Sequence, residues 1–136
     1  MKLIIAYVKP ERFKEVKKEL YKSEVFRMSV SKSRGCGEQK GFTEILRATT
    51  QEVNLLPKIR IEIVVNDDFV EKTIDAIIRG AKTDTMGDGK IFVIPLEECI
   101  RIRTGERGPD AIGGISKYLS EKKRKEIEAK NNEVKT

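Results

Sequence analysis

The stretch KIRIEIVVNDDFVEKTIDAIIRGA, residues 58–81, decides the fold of this chain. In KIRIEIVV (residues 58–65), Ile59, Ile61, Ile63 and Val65 recur at every second position, so they share one face of a strand. The period then changes. Val70, Ile74, Ile77 and Ile78 follow at helical spacing from a start near Phe69, and Asp67 or Asp68 is placed to cap that helix. KIFVIP (residues 90–95) comes next as another buried strand, so the stretch and its sequel read β-α-β.

The preceding residues repeat that order. LIIAYV (residues 3–8) reads as a buried strand, and Pro10 suits the first turn of a helix. In ERFKEVKKELYK (residues 11–22), Phe13, Val16, Leu20 and Tyr21 recur at helical spacing, with charges on the other face. VFRMSVSKSRG (residues 25–35) reads as a strand in which Phe26, Met28 and Val30 alternate with Arg27, Ser29 and Ser31. CIRIRT (residues 99–104) reads as a short last strand. Two consecutive βαβ halves imply an α+β, ferredoxin-like plan with helices on one sheet face. The opposite face then needs a cover, and self-association supplies one.

Two segments fall outside this plan. The loop of about residues 36–57, within GCGEQKGFTEILRATTQEVNLLP, has glycines at 35, 37 and 41 and no sustained periodicity. A connection of that length is functional or disordered. Phe42, Ile45 and Leu46 would be costly to leave without a partner, which favours a mobile recognition arm over a disordered insertion. The end, ISKYLSEKKRKEIEAKNNEVKT (residues 115–136), reads as a charged helix fading into a solvated tail. The domain reading is therefore residues 1–112 with a charged extension over 113–136.

Composition narrows the function classes. A chain of 136 residues suits one domain, and 38% apolar residues without any Trp imply a core of Ile, Val and Leu. LIIAYV is only strand-length before Lys9-Pro10 and no segment has the length of a membrane span, so neither a signal peptide nor membrane insertion is expected. Cys36 and Cys99 lack CxxC spacing and the chain has no His, which argues against zinc and disulfide frameworks and for a reducing cytoplasm. The net charge of +6 invites a nucleic-acid reading. Acidic residues are interspersed, however, and no basic stripe carries stacking aromatics; an anionic small molecule accounts for the excess as well.

Gly87-Asp88-Gly89-Lys90 carries the first chemical signal: flexible backbone N–H groups followed by an ammonium can make a phosphate nest. It is not a Walker A loop, since that spacing is absent and Ile91 replaces the hydroxyl. Alone it is more often a plain hairpin turn. On a strand, Arg101 and Arg103 would leave one face together and converge on phosphate oxygens. The alternative is a solvated strand face paired to Glu62 or Glu106. Turn and arginines together favour a polyphosphate ligand.

The segments GxGxQKGxTE (residues 35–44), LLPKIRIEIVV (residues 55–65), GDGKIFV (residues 87–93) and IRIRTGERG (residues 100–108) resemble the PII nitrogen-regulatory signal proteins, a likeness spanning roughly residues 1–112. The resemblance implies a homotrimer of ferredoxin-like subunits with clefts between neighbours. Each cleft would bind ATP or ADP and, with Mg-ATP, 2-oxoglutarate; the long loop would select targets. Nucleotide contacts implied by it fall on Ser29, Gly35, Gly37, Glu62, Val64, Gly87, Asp88, Gly89, Lys90, Arg101 and Arg103. Ser29 replaces the usual threonine, and Asp88 would act through the turn and backbone because its charge repels phosphate. Gln39, Lys58 and Gly87 are the implied 2-oxoglutarate residues, with the Gln39 oxygen ligating Mg²⁺ beside phosphate and effector oxygens.

Departures refine the expectation. Gln51 stands where many relatives carry a uridylylated tyrosine, Thr49 where some carry a phosphorylated serine, and Glu38 where an arginine is common. Glu38 thereby reverses a charge beside the effector site. Arg47 keeps the arginine that plugs an ammonium transporter, so the partner expected is such a transporter or an enzyme of nitrogen metabolism. The resulting expectation is a non-catalytic, cytoplasmic signal transducer, recruited to the inner membrane face by a transporter and binding no nucleic acid. The alternative is a slow ATPase or small phosphatase on the same fold. It is disfavoured because the chain has no His and no Ser or Cys nucleophile beside an evident base.

Overall fold

The computed structural model describes residues 1–36, 55–113 and 115–134, with the side chains of 115–124 excepted. Strand β1, Lys2–Val8, buries Ile4, Ala6 and Val8 and leaves Leu3, Ile5 and Tyr7 part-covered on its other face. Helix α1, Phe13–Lys22, follows a 3-10 turn opened by Pro10. Strand β2 is Ser29–Gly35 and β3 is Leu56–Val65. Helix α2, Val70–Ala81, leads to β4, Lys90–Pro95. The strands form one antiparallel sheet in the order β2-β3-β1-β4, the arrangement expected of a ferredoxin-like α+β fold.

Register places the core. Ile61 lies opposite Ala6 and Ile63 opposite Ile4. These side chains, with Val8 and Val65, face Val16 and Leu20 of α1 and Ala76 and Ile77 of α2 in one buried cluster. The two helices approach closely because α2 turns small residues toward α1: Thr73, Ala76 and Gly80 are buried. The Thr73 hydroxyl is satisfied inside by donating to the Phe69 carbonyl at 2.7 Å.

Several local readings are corrected. The α2 stripe was expected at Val70, Ile74, Ile77 and Ile78, yet Ile78 is 46% exposed. Helix–helix proximity selects small residues over bulky ones at the contact. Tyr21 likewise leaves the α1 core face and packs its ring against Phe26, 5.6 Å between centroids, on the surface. The strand expected from residue 25 begins only at Ser29. Glu24 (φ 63) closes α1 with Val25 N–H donating to the Leu20 carbonyl, so the chain is still turning there. Neither Asp67 nor Asp68 caps α2: the preceding 3-10 turn has Asn66 at its start with no side-chain cap, and Asp67 instead binds the Met1 ammonium at 2.7 Å.

The chain divides into two compact units, Met1–Leu96 and Glu97–Thr136. In the second unit a short helix α3, Pro109–Ile112, precedes α4, Ile115–Val134. Among the described residues no helix is long and apolar enough to cross a membrane.

Candidate functional site

On the sheet face turned away from the helices, even positions of β3 and β4 stand beside odd positions of β1: Lys90 is paired with Tyr7, and Lys58 with Ser33 of β2. There Tyr7, Ser33, Arg34, Gly35, Cys36, Lys58, Met86, Gly87, Lys90 and Phe92 line a cleft of about 620 Å³. Arg34, Lys58 and Lys90 make it cationic, and no Asp or Glu is among its described lining residues. Low-dielectric walls lined by one sign of charge concentrate an anion.

The turn between α2 and β4 forms part of this wall. Gly87 (φ 89) and Gly89 (φ 106) adopt backbone conformations that L side chains rarely enter. Gly89 also presses against β1, since a Cβ there would stand 1.7 Å from the Tyr7 carbonyl oxygen. From the cleft side, the Lys58 ammonium donates to the Gly87 carbonyl at 2.8 Å. On the other flank, the Asp88 carboxylate accepts from the Thr83 amide at 2.8 Å and from the Thr83 hydroxyl, and pairs with the Lys9 ammonium at 3.3 Å. Lys9 also donates to the Thr85 hydroxyl at 2.7 Å.

These contacts hold the Asp88 carboxyl well below the usual carboxylate range, chiefly through the Thr83 hydroxyl and amide, with Lys9 adding to them. A depressed carboxylate contributes stability that is present above its unfolded value and lost as pH falls through the folded one. Urea unfolding followed from neutrality to below the ordinary aspartate value of about 3.9 is therefore expected to show a steeper loss in the wild type than in Asp88→Asn. Parallel pH profiles for the two proteins would mean the carboxylate is not held this way.

The remaining implied residues divide by location. Ser29 pairs with Glu62 in the ladder and Val64 with Leu3, further along the open face, and none of them lines the cleft. Glu62 holds Arg60 at 2.9 Å. Gly37, Gln39 and Arg47 lie outside the described residues, as do Glu38, Thr49 and Gln51. Arg101 and Arg103 belong to the second unit. The strand expected for them is absent. Ile100 makes a single bridge to Arg107, and Gly105 N–H donates to the Arg101 carbonyl at 2.8 Å, closing a turn. Gly105 (φ 72) reverses the chain, so Arg101 and Arg103 do not share a strand face, and Ile102 is fully exposed. Glu98 braces the base of this hairpin, accepting from the Gly108 amide at 3.0 Å and pairing with Arg107 at 3.5 Å.

Sequence reasoning missed Lys9, Thr83, Thr85 and Arg34. Arg34 was visible only as a charge on a strand end, and Lys9 meets Asp88 across a separation that no periodicity encodes. The residues present suit a polyphosphate: a glycine turn with a lysine at its end, cations around the cleft, and the Asp88 carboxylate held on the opposite flank. Among the described residues no group of three or more His, Cys, Asp or Glu is gathered for a metal ion.

The family model described as "Nitrogen regulatory protein P-II" matches residues 1–106. The chain is 57% identical over 114 residues to Nitrogen regulatory protein GlnK1 of Methanosarcina mazei, covering 82% of this chain and 97% of that protein. It is 51% identical over 112 residues to Nitrogen regulatory protein P-II of Bradyrhizobium diazoefficiens, and 48% identical over 112 residues to that of Cereibacter sphaeroides. Both of those alignments cover 82% of this chain and 100% of the relative.

Proposed function

Since this chain belongs to the nitrogen regulatory protein P-II family, we propose that it is a non-catalytic nitrogen and energy signal transducer that binds ATP or ADP and, with Mg-ATP, 2-oxoglutarate. The observation that carries this reading is the cationic cleft at the base of the long loop, where Lys58, Lys90 and Gly87 of the glycine turn meet Gly35 and Cys36, while Asp88 and Gly89 line a separate pocket on the other side of the turn. Main-chain N–H groups of residues 87–89 and the Lys90 ammonium would hold phosphates; the family resemblance assigns phosphate contacts to Arg101 and Arg103 as well, whose guanidiniums suit that role. Bound Mg²⁺ would supply neutralising charge, with Gln39 as its side-chain ligand. Lys58 would take the distal carboxylate of 2-oxoglutarate. It can do so while keeping Gly87, because an ammonium has three donors.

Ser29, Glu62 and Val64 lie along the sheet away from the cleft of their own chain. We infer that a nucleotide held at Lys90 in one copy meets these residues in a second copy, in keeping with the homotrimer of shared clefts that the family resemblance implies. Gly35 and Gly37 would border the ribose side. Coupling to targets follows from position: β2 and β3 end side by side, Gly35 opposite Leu56, so the intervening loop starts and finishes at the cleft. A ligand that fits one loop state better than another shifts the loop by that difference in affinity. Arg47 in that loop would contact an ammonium transporter or a nitrogen-metabolism enzyme. The protein would work in the cytoplasm and reach the inner membrane face through a transporter. Slow ATP turnover or small-phosphatase activity on the same fold remains the competing reading, against which the chain offers no His as general base.

Calorimetry with ATP and Mg²⁺, followed by 2-oxoglutarate, tests this function. Binding of 2-oxoglutarate only after Mg-ATP is the expected result, and no nucleotide binding would overturn the reading. In Lys58→Ala, 2-oxoglutarate binding is expected to be lost while ATP binding persists with a modest loss from the freed Gly87 carbonyl. Equal loss of both ligands would contradict the role given to Lys58.

A further inference from the structure

The phosphate turn contains an electrostatic liability. Between Met86 and Lys90 stands a carboxylate, Asp88, in the same short turn whose N–H groups and lysine are read above as an anion site. Asp88 has 24% of its side chain exposed and Lys9 17%, so water screens this charge only in part. Lys9 is the cation set against it. Its ammonium reaches from the end of β1 to Asp88 at 3.3 Å and to the Thr83 and Thr85 hydroxyls at 3.3 and 2.7 Å. Lys58 grips the opposite side of the turn, at Gly87. Lys82, the cation that opens the connection before the turn, pairs with Asp84 at 3.3 Å.

We propose that Lys9 is a positioning residue for anion binding at the glycine turn: it neutralises Asp88, so that residues 87–90 present net positive charge to a polyphosphate. The inference rests on the reading of this turn as a phosphate site, and it assigns Lys9 no contact with the ligand. Two physical effects act together. Lys9 holds residues 83–88 in one conformation through its three partners, and it cancels a negative charge that would otherwise repel phosphate from a few residues away. A structural role alone predicts that removing Asp88 as well makes matters worse. The electrostatic role predicts that removing it helps.

The test is ADP and ATP titration calorimetry on the full chain without 2-oxoglutarate, at low and high salt, for wild type, Lys9→Met, Asp88→Asn and the double variant. Lys9→Met is expected to weaken both nucleotides about tenfold at low salt, with the deficit shrinking as salt screens it. The double variant is expected to recover most of the affinity, and Lys9→Arg to recover it by restoring charge. Wild-type affinity in Lys9→Met, or no recovery in the double variant, overturns the proposal. Thermal unfolding of each variant accompanies the titrations. If Lys9→Met fails to fold, Asp88→Asn alone decides: tighter nucleotide binding than wild type supports the inference and weaker binding refutes it. Absence of nucleotide binding by the wild type would be a separate result, removing the phosphate reading and this inference with it.

Discussion

Gly89→Ala is expected to disrupt the glycine turn and take a large share of the fold's stability with it. Two costs add. At φ 106 an L side chain is strained, at about 1–3 kcal/mol for such a backbone, and the new methyl would stand 1.7 Å from the Tyr7 carbonyl oxygen. The obstacle is main chain of β1, in the middle of the sheet, so no rotamer change relieves it. Either Lys90 loses its pairing with Tyr7 or the turn swings outward, and both displace Gly87 and Lys90 from the cleft. A total above about 4 kcal/mol is expected, from a store of roughly 5–15 kcal/mol for a domain. Urea unfolding and ADP titration measure the two consequences. A variant with near-wild-type midpoint and affinity would show that Gly89 does not press on β1 as described.

The second large effect is expected of Gly80→Ala, where two forces of opposite sign can be weighed. Alanine in place of glycine inside a helix is worth about 1 kcal/mol in its favour. Against this, the added Cβ would lie 2.5 Å from the Val16 Cα and 2.6 Å from its nitrogen, so α2 must move off α1. Overpacking typically costs about 1–3 kcal/mol and sometimes more. Here the neighbour is backbone, and the separation also loosens Val16, Leu20 and Ile77 and lengthens the Arg12 hydrogen bond to the Gly80 carbonyl, 2.9 Å in the native chain. A net loss of about 2 kcal/mol is expected once about 1 kcal/mol of propensity is subtracted from the upper end of that cost. A denaturation midpoint higher than wild type would mean propensity had won and that the helices are not in close contact at this residue.

Much of the cleft's framework is legible in the sequence. Lys58 and Lys90 could be assigned to strands and Gly87 and Gly89 to a turn because each is announced by its immediate neighbours. The arginines were not legible in the same way. CIRIRT has the alternation of a strand, yet Gly105 reverses the chain just beyond it and the segment becomes a hairpin turn. Lys9 carried no local mark at all, since its importance lies in Asp88 and Thr85, brought to it by the pairing of β1 with β4.

By itself the sequence determined the order of the elements through β4, the buried face of β3, and the presence of a glycine turn before a lysine. Those follow from local periodicity and from backbone freedom that resides in single residues. The tertiary structure alone decided which small residues let α1 meet α2, why Tyr21 lies outside, where the arginine turn bends and which lysine answers Asp88. The arginine turn closes locally, at Gly105. The helix contact and the Lys9–Asp88 pair depend on the approach of segments far apart in the chain, and a distance between distant residues is set by packing and strand register, which no local period records.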